Sequence, residues 1–129
     1  MSVELTMLLA SAALYFVFIL IPANEAVLRN GLKVMTGPRD NLPPPSVFNA
    51  RATRLRDNMA ENLLLFAVLV VLVELSGRNS ALTALACYIF VGARIAHAVV
   101  YLAGIPVIRP FLWGVWVVAY GMLASQILA

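Results

Sequence analysis

Charge is scarce in this chain. Of its 129 residues only 12% are charged, while 63% are hydrophobic and the mean hydropathy is +0.94. Cysteine and histidine are scarcer still, with one of each, Cys87 and His97. Each shortage excludes something. Too few polar side chains are present to cover a water-soluble domain of this size, so the chain reads as an integral membrane protein. A lone cysteine closes no internal disulfide. With no second His or Cys at ligand spacing, no metal site is expected. Cys87 lies inside an apolar segment and reads as a small core hydrophobe. The N-terminal MSVELTMLLA has no positively charged run and no clear cleavage site. Leu5 onward is therefore expected to be a retained first span rather than a signal peptide.

What is there is apolar sequence in four long runs. A membrane helix needs about 20 apolar residues, and the runs predict spans over 5–28, 47–75, 80–102 and 110–128 of a single domain covering 1–129. The expected fold is all-α, an integral membrane four-helix bundle. Pro22 lies inside the first run and predicts a kink. GPRDNLPPP is incompatible with a helix and predicts an ordered loop after the first span. ELSGRNS and AGIPVIRP read as tight turns. Small residues recur at helical spacing, Gly92 with Ala96, and Gly114 with Gly121 and Ser125. Such spacing predicts closely packed helices.

The charges take sides. Arg29, Lys33, Arg39, Arg51, Arg54 and Arg56 lie between the first and second spans, and Arg109 lies between the third and fourth. Arg78 alone falls in the turn on the other face. The positive-inside rule then predicts a cytoplasmic long loop with both termini on the opposite side. Short loops suit a bacterial inner membrane.

Two polar stripes interrupt the oil. In RATRLRDNMAEN, Arg54, Asn58 and Glu61 fall at i, i+4 and i+7, on one helical face, with Arg51 a turn earlier and Asp57 beside them. In RIAHAVVY, Arg94, His97 and Tyr101 fall at i, i+3 and i+7. Arg94 is the deepest charge. An arginine at a helix centre costs about 2.5–3.5 kcal/mol on translocon-based scales, so a partner is expected, and Glu61 is the natural candidate. Plainer readings stand beside these. Arg94 and Glu61 would form an ion pair that fixes helix register. The interfacial arginines would snorkel to lipid phosphates. His97 would be a hydrogen-bonded core histidine and Tyr101 an interface-belt tyrosine.

A ligand for the whole set is small and carries more than one negative charge, with an amine for Glu61 or Asp57. Glutathione has two carboxylates, an ammonium and a thiol, and an arginine beside the sulfur favours the thiolate. Phosphate headgroups suit the arginines as well. A hydrophobic second substrate would arrive through the membrane lipids.

The two stripes, RLRDNMAEN and RIAHAVVYLAGIPVIR, are similar to R-x-x-x-N-x-x-E and R-x-x-H-x-x-x-Y followed by an arginine. In that order and spacing the chain resembles the MAPEG family, membrane-associated proteins in eicosanoid and glutathione metabolism, over nearly its whole length. The resemblance implies a homotrimer of four-helix subunits with glutathione bound between subunits at the cytoplasmic side. By matching position it assigns Arg54, Asn58, Glu61, Arg94, His97 and Tyr101 to the glutathione site. Arg109 matches the arginine held near the thiol in the prostaglandin E synthase branch. Arg29 matches a further binding arginine and Asp40 a loop aspartate. The chain departs from that branch where a serine and a tyrosine are replaced by Pro110 and Trp113, and where the turn from Tyr101 to Arg109 is one residue shorter. The expected function is a glutathione-dependent membrane enzyme, a transferase or peroxidase acting on lipophilic electrophiles, with Arg109 as the catalytic group. Arg51, Arg54, Arg94 and Arg29 are the expected carboxylate ligands. The alternatives are a non-catalytic lipid-binding or scaffold member of the same fold, which the family also contains, and a purely structural subunit. No nucleic-acid partner is expected.

Overall fold

The computed structural model describes residues 1–129, and every regular element in it is helical. The order is α1 (Val3–Asn30), α2 (Leu32–Met35), α3 (Val47–Ser76), α4 (Ala81–Ala103) and α5 (Arg109–Leu128). All but α2 are long and apolar enough to cross a membrane. Ser2 caps α1 by accepting from the Leu5 amide at 3.1 Å, and Ser46 caps α3 by accepting from the Asn49 amide at 3.0 Å. Ser80 and Thr83 form a reciprocal capping box on α4. Glycine ends both α3 and α4, with Gly77 at φ 65° and Gly104 at φ 77°, a region that side chains with a Cβ rarely adopt.

Pro22 does not end α1. A proline inside a helix lacks a donor and crowds the preceding turn, and here the neighbourhood is braced. Asn49 Nδ2 donates to the Pro22 carbonyl at 2.9 Å and to Glu25 at 2.5 Å, and the Ser46 hydroxyl donates to Glu25 at 3.0 Å. The last turns of α1 are thereby tied to the start of α3. After the single turn of α2 the chain is irregular over 36–46, apart from bends and turns, as the prolines require.

The four long helices alternate in direction, so both chain ends and the α3–α4 turn lie at one face, and the α1–α3 and α4–α5 connections at the other. The core is built around Phe66 and Phe90, stacked at 3.9 Å with 11° between ring planes. Phe18 of α1, Leu55, Met59 and Val70 of α3, Cys87 of α4, and Trp116 and Leu123 of α5 complete it. Outward-facing Leu64, Leu65, Val68, Val71 and Leu72 are as apolar as the interior. In lipid, association of such helices rests on packing and on polar contacts between helices rather than on expelling water. Here the glycine expectation is corrected. A Cβ built on Gly92, Gly114 or Gly121 meets nothing within 4 Å, because Gly92 and Gly121 face outward and Gly114 is only half-buried. The small residues buried in the bundle are Ala86, Ala93, Ala98 and Ala119.

At the end carrying both termini, polar side chains are paired off. Glu4 is 3% exposed and accepts from the Thr83 hydroxyl at 2.5 Å. Ser2 donates to Glu74, which also accepts from Asn79 Nδ2 at 2.8 Å. These bonds join the start of α1 to the end of α3 and the start of α4.

Candidate functional site

The opposite end is built differently. The first turns of α3 carry Arg51 and Arg54, the last turn of α4 carries Tyr101 and Gly104, and α5 opens on Arg109. Arg54 Nε donates to the Tyr101 hydroxyl at 2.8 Å. The Arg109 guanidinium lies over the Tyr101 ring at 5.0 Å, and that of Arg54 at 6.0 Å, both within reach of a cation–π attraction. Tyr101 is thus shared by two arginines, through its oxygen and through its face.

These residues line a cavity of about 180 Å³ with Ile105 and Pro106. No acidic side chain lines it. The two ion pairs in the chain, Arg29 with Glu25 and Arg56 with Asp57, both lie outside it. Arg109, the first residue of α5, sits at the positive end of that helix dipole, where a cation is normally disfavoured. Three unneutralised guanidinium groups in the cavity make a positive recess whose natural occupant is an anion.

A second recess of about 250 Å³ shares Tyr101 and Arg109 with the first and continues past them along Asn58, His97, Pro110, Trp113 and Trp116. Its walls are largely aromatic. Trp113 is 57% exposed. The His97 ring stands edge-on to Trp116 at 5.0 Å and lies 5.4 Å from Tyr101. His97 Nδ1 is buried with no hydrogen-bond partner. Arg109 therefore stands at the junction of a cationic recess and an aromatic one.

Arg94 corrects one expectation. It is fully buried, yet its partner is not Glu61, which is exposed and free of any ion pair. Arg94 Nη1 donates to Asn58 Oδ1 at 2.8 Å, Nε approaches the Met59 sulfur at 3.3 Å, and the guanidinium lies 4.3 Å from the Trp116 ring centre. Asn58, one turn before Glu61, is within reach of the guanidinium, and the indole face takes up charge that a carboxylate would otherwise neutralise. Nη2 has no partner. Arg94 lines neither recess; it holds Asn58, which lines the second.

Within one chain the remaining site candidates do not converge on the recess. Arg29 pairs with Glu25, donates to the Pro44 carbonyl at 3.3 Å, and lines a separate recess of about 440 Å³ with Asn30, Met35, Asn49 and the proline run. Asp40 is exposed in the loop. Asp57 is engaged by Arg56, with Nη2 to Oδ1 at 3.0 Å. Sequence reasoning missed Trp116, Asn62 and Tyr120. Asn62 Oδ1 accepts from Trp116 Nε1 at 3.1 Å and from the Tyr120 hydroxyl at 3.0 Å, which locks the indole under Arg94. One signal was available: Asn62 follows Asn58 at i+4 and so continues its stripe.

A family model described as the MAPEG family matches residues 6–129. No curated protein and no solved structure matches the chain. With four membrane-length helices in one bundle and a family match over nearly the whole sequence, the chain is an integral membrane protein that belongs to the MAPEG family.

Proposed function

We propose that this protein is a glutathione-dependent membrane enzyme, of transferase or peroxidase type, acting on lipophilic electrophiles. The observation that carries the reading is the pair of recesses meeting at Arg109, one cationic and free of acids, the other walled by Trp113, Trp116 and Pro110. A charged thiol and an apolar acceptor would meet there. Arg51 and Arg54 bind carboxylate, and Glu61, exposed and unpaired, takes the amine. Arg109 holds the sulfur as thiolate, and a fixed positive charge at that point lowers the barrier to attack. Tyr101 accepts from Arg54, so its own hydroxyl hydrogen is free to donate to the same sulfur. In conjugation the thiolate forms a carbon–sulfur bond and the leaving group departs with its electron pair. Arg94 and His97 act behind this layer, Arg94 by orienting Asn58 and His97 as part of the aromatic wall.

The same reading takes the working unit as a homotrimer of one-domain subunits with glutathione between copies, which would bring Arg29 of a neighbour to the site. The recess end faces the cytoplasm of a bacterial inner membrane, both termini face the other side, and the acceptor enters from the membrane lipids.

One observation favours a second reading, a non-catalytic lipid-binding or scaffold member. Pro110 borders the aromatic recess and offers no hydroxyl to polarise a thiol or substrate. Turnover of a model aryl halide with glutathione separates the two. Arg109→Ala is expected to lower kcat about a hundred- to a thousandfold, the loss that follows removal of a transition-state charge partner, while the protein elutes and melts as wild type. Unchanged turnover would remove Arg109 from the mechanism, and no turnover by the wild type would favour the scaffold.

A further inference from the structure

Gly104 ends α4 at φ +77°, which explains a glycine there but not what lies against it. A Cβ added at Gly104 would stand 2.8 Å from Arg51 Nη1, 2.9 Å from Cζ and 3.0 Å from Nη2. The other two positive-φ glycines, Gly31 and Gly77, have nothing within 4 Å of the same point. Of these three, only Gly104 has the place of its missing side chain occupied, and the occupant, the Arg51 guanidinium, has neither a side-chain hydrogen bond nor an aromatic ring to fix it. The guanidinium lies on the C-terminal end of α4, the negative pole of that helix, which favours a cation. Arg54 is anchored by the Tyr101 hydroxyl and Arg109 by its ring. Arg51 is anchored by contact with bare backbone.

We infer that Gly104 is a positioning residue for the anionic substrate: its bare Cα seats the Arg51 guanidinium in the recess, and the third cation so placed makes the site select a thiol with two carboxylates over one with a single carboxylate. The inference rests on the glutathione reading for the identity of the thiol, and on the recess alone for the role of Gly104. A Cβ at 104 displaces a long flexible side chain and not backbone, so the fold accommodates it while the recess loses a charge. Electrostatic complementarity of this kind governs affinity for the charged partner and leaves the chemistry at the sulfur alone.

The test uses the full chain in detergent. Gly104→Asn is the main variant, because asparagine tolerates the left-handed backbone yet carries a Cβ. Gly104→Ala, Arg51→Ala and the double variant Gly104→Asn with Arg51→Ala accompany it. The expected result is a KM for glutathione raised about tenfold in each single variant, with kcat within about twofold and no further rise in the double variant. Wild type should prefer glutathione to its glycine ethyl ester, and the variants should lose that preference. Binding of inorganic pyrophosphate by calorimetry reads the recess without glutathione, and its Kd should rise in the same variants. An unchanged KM and pyrophosphate Kd in Gly104→Asn would overturn the inference. So would single-variant effects that multiply in the double variant, or a fall in kcat with KM intact. Pyrophosphate binding that follows the variants in a protein indifferent to glutathione would overturn the glutathione reading and keep the role of Gly104. A wild type that binds neither would overturn both.

Discussion

The two ends of the bundle carry different polar side chains, acids with hydroxyl and amide partners at one and arginines at the other. At the end bearing the termini, Glu4 is bonded to Thr83, and Glu74 to Ser2 and Asn79, which ties the start of α1 to the end of α3 and the start of α4. At the other end Arg51, Arg54 and Arg109 line one cavity and none has a carboxylate. Burying a polar group is tolerable when its partners are supplied. The first end follows that rule and is a clasp. The second leaves three guanidinium groups in one recess without a carboxylate, an arrangement that suits a ligand of the opposite sign. Both faces are thus fastened by polar side chains, and only one of them also carries arginines without carboxylates.

That contrast can be broken from the middle outward. The largest expected effect is at Trp116, which touches Arg94, His97 and Asn62 at once. Trp116→Ala should destabilise the protein by about 4 kcal/mol, typical of a large aromatic truncated in a packed core, and should weaken ligand binding with it; unfolding in detergent against denaturant measures the first. Next is the clasp. Thr83→Val leaves the buried Glu4 without its donor and should lower stability by about 2 kcal/mol, with glutathione affinity unchanged; an affinity loss would show that the ends are coupled after all. Tyr101→Phe should do the reverse. It removes the oxygen that holds Arg54, so the Kd for glutathione should rise about fivefold, or about 1 kcal/mol, with little change in melting temperature. The smallest effect belongs to Arg56, whose pair with Asp57 is exposed. Arg56→Ala should change stability by less than about 0.5 kcal/mol and leave affinity unmoved, which thermal melts and calorimetry both check.

The sequence made the helices legible because uninterrupted apolar runs, Ser46 and Ser80 before them and glycines after them leave few alternatives. It also put Arg54, Tyr101 and Arg109 at one end, since positive charge concentrates between alternate spans. Partner choice was another matter. Stripe analysis says which residues share a face of one helix, and not how two helices are rotated against each other. For that reason Glu61 was the natural partner for Arg94, while in the structure Asn58 and the face of Trp116 take that place. In an all-round apolar helix such as α5, nothing in the pattern marks which tryptophan turns inward, so Trp116 was invisible even though Asn62 continues the Asn58 stripe. The small-residue pattern misled for a related reason: Gly92 and Gly121 face outward in the single chain. Gly104 was legible as a helix end, but its contact with Arg51 depends on the rotation of α3 against α4.

The central claim is that the unneutralised arginines at one end, and not the clasp at the other, form the anion site. Calorimetry of glutathione binding to detergent-purified protein tests it most directly, with Arg51→Ala and Arg54→Ala in the recess and Thr83→Val at the clasp. The account predicts binding to the wild type and to Thr83→Val, weakened at least tenfold in the other two. A folded wild type that binds no glutathione, or recess variants that bind as well as the wild type, would contradict it.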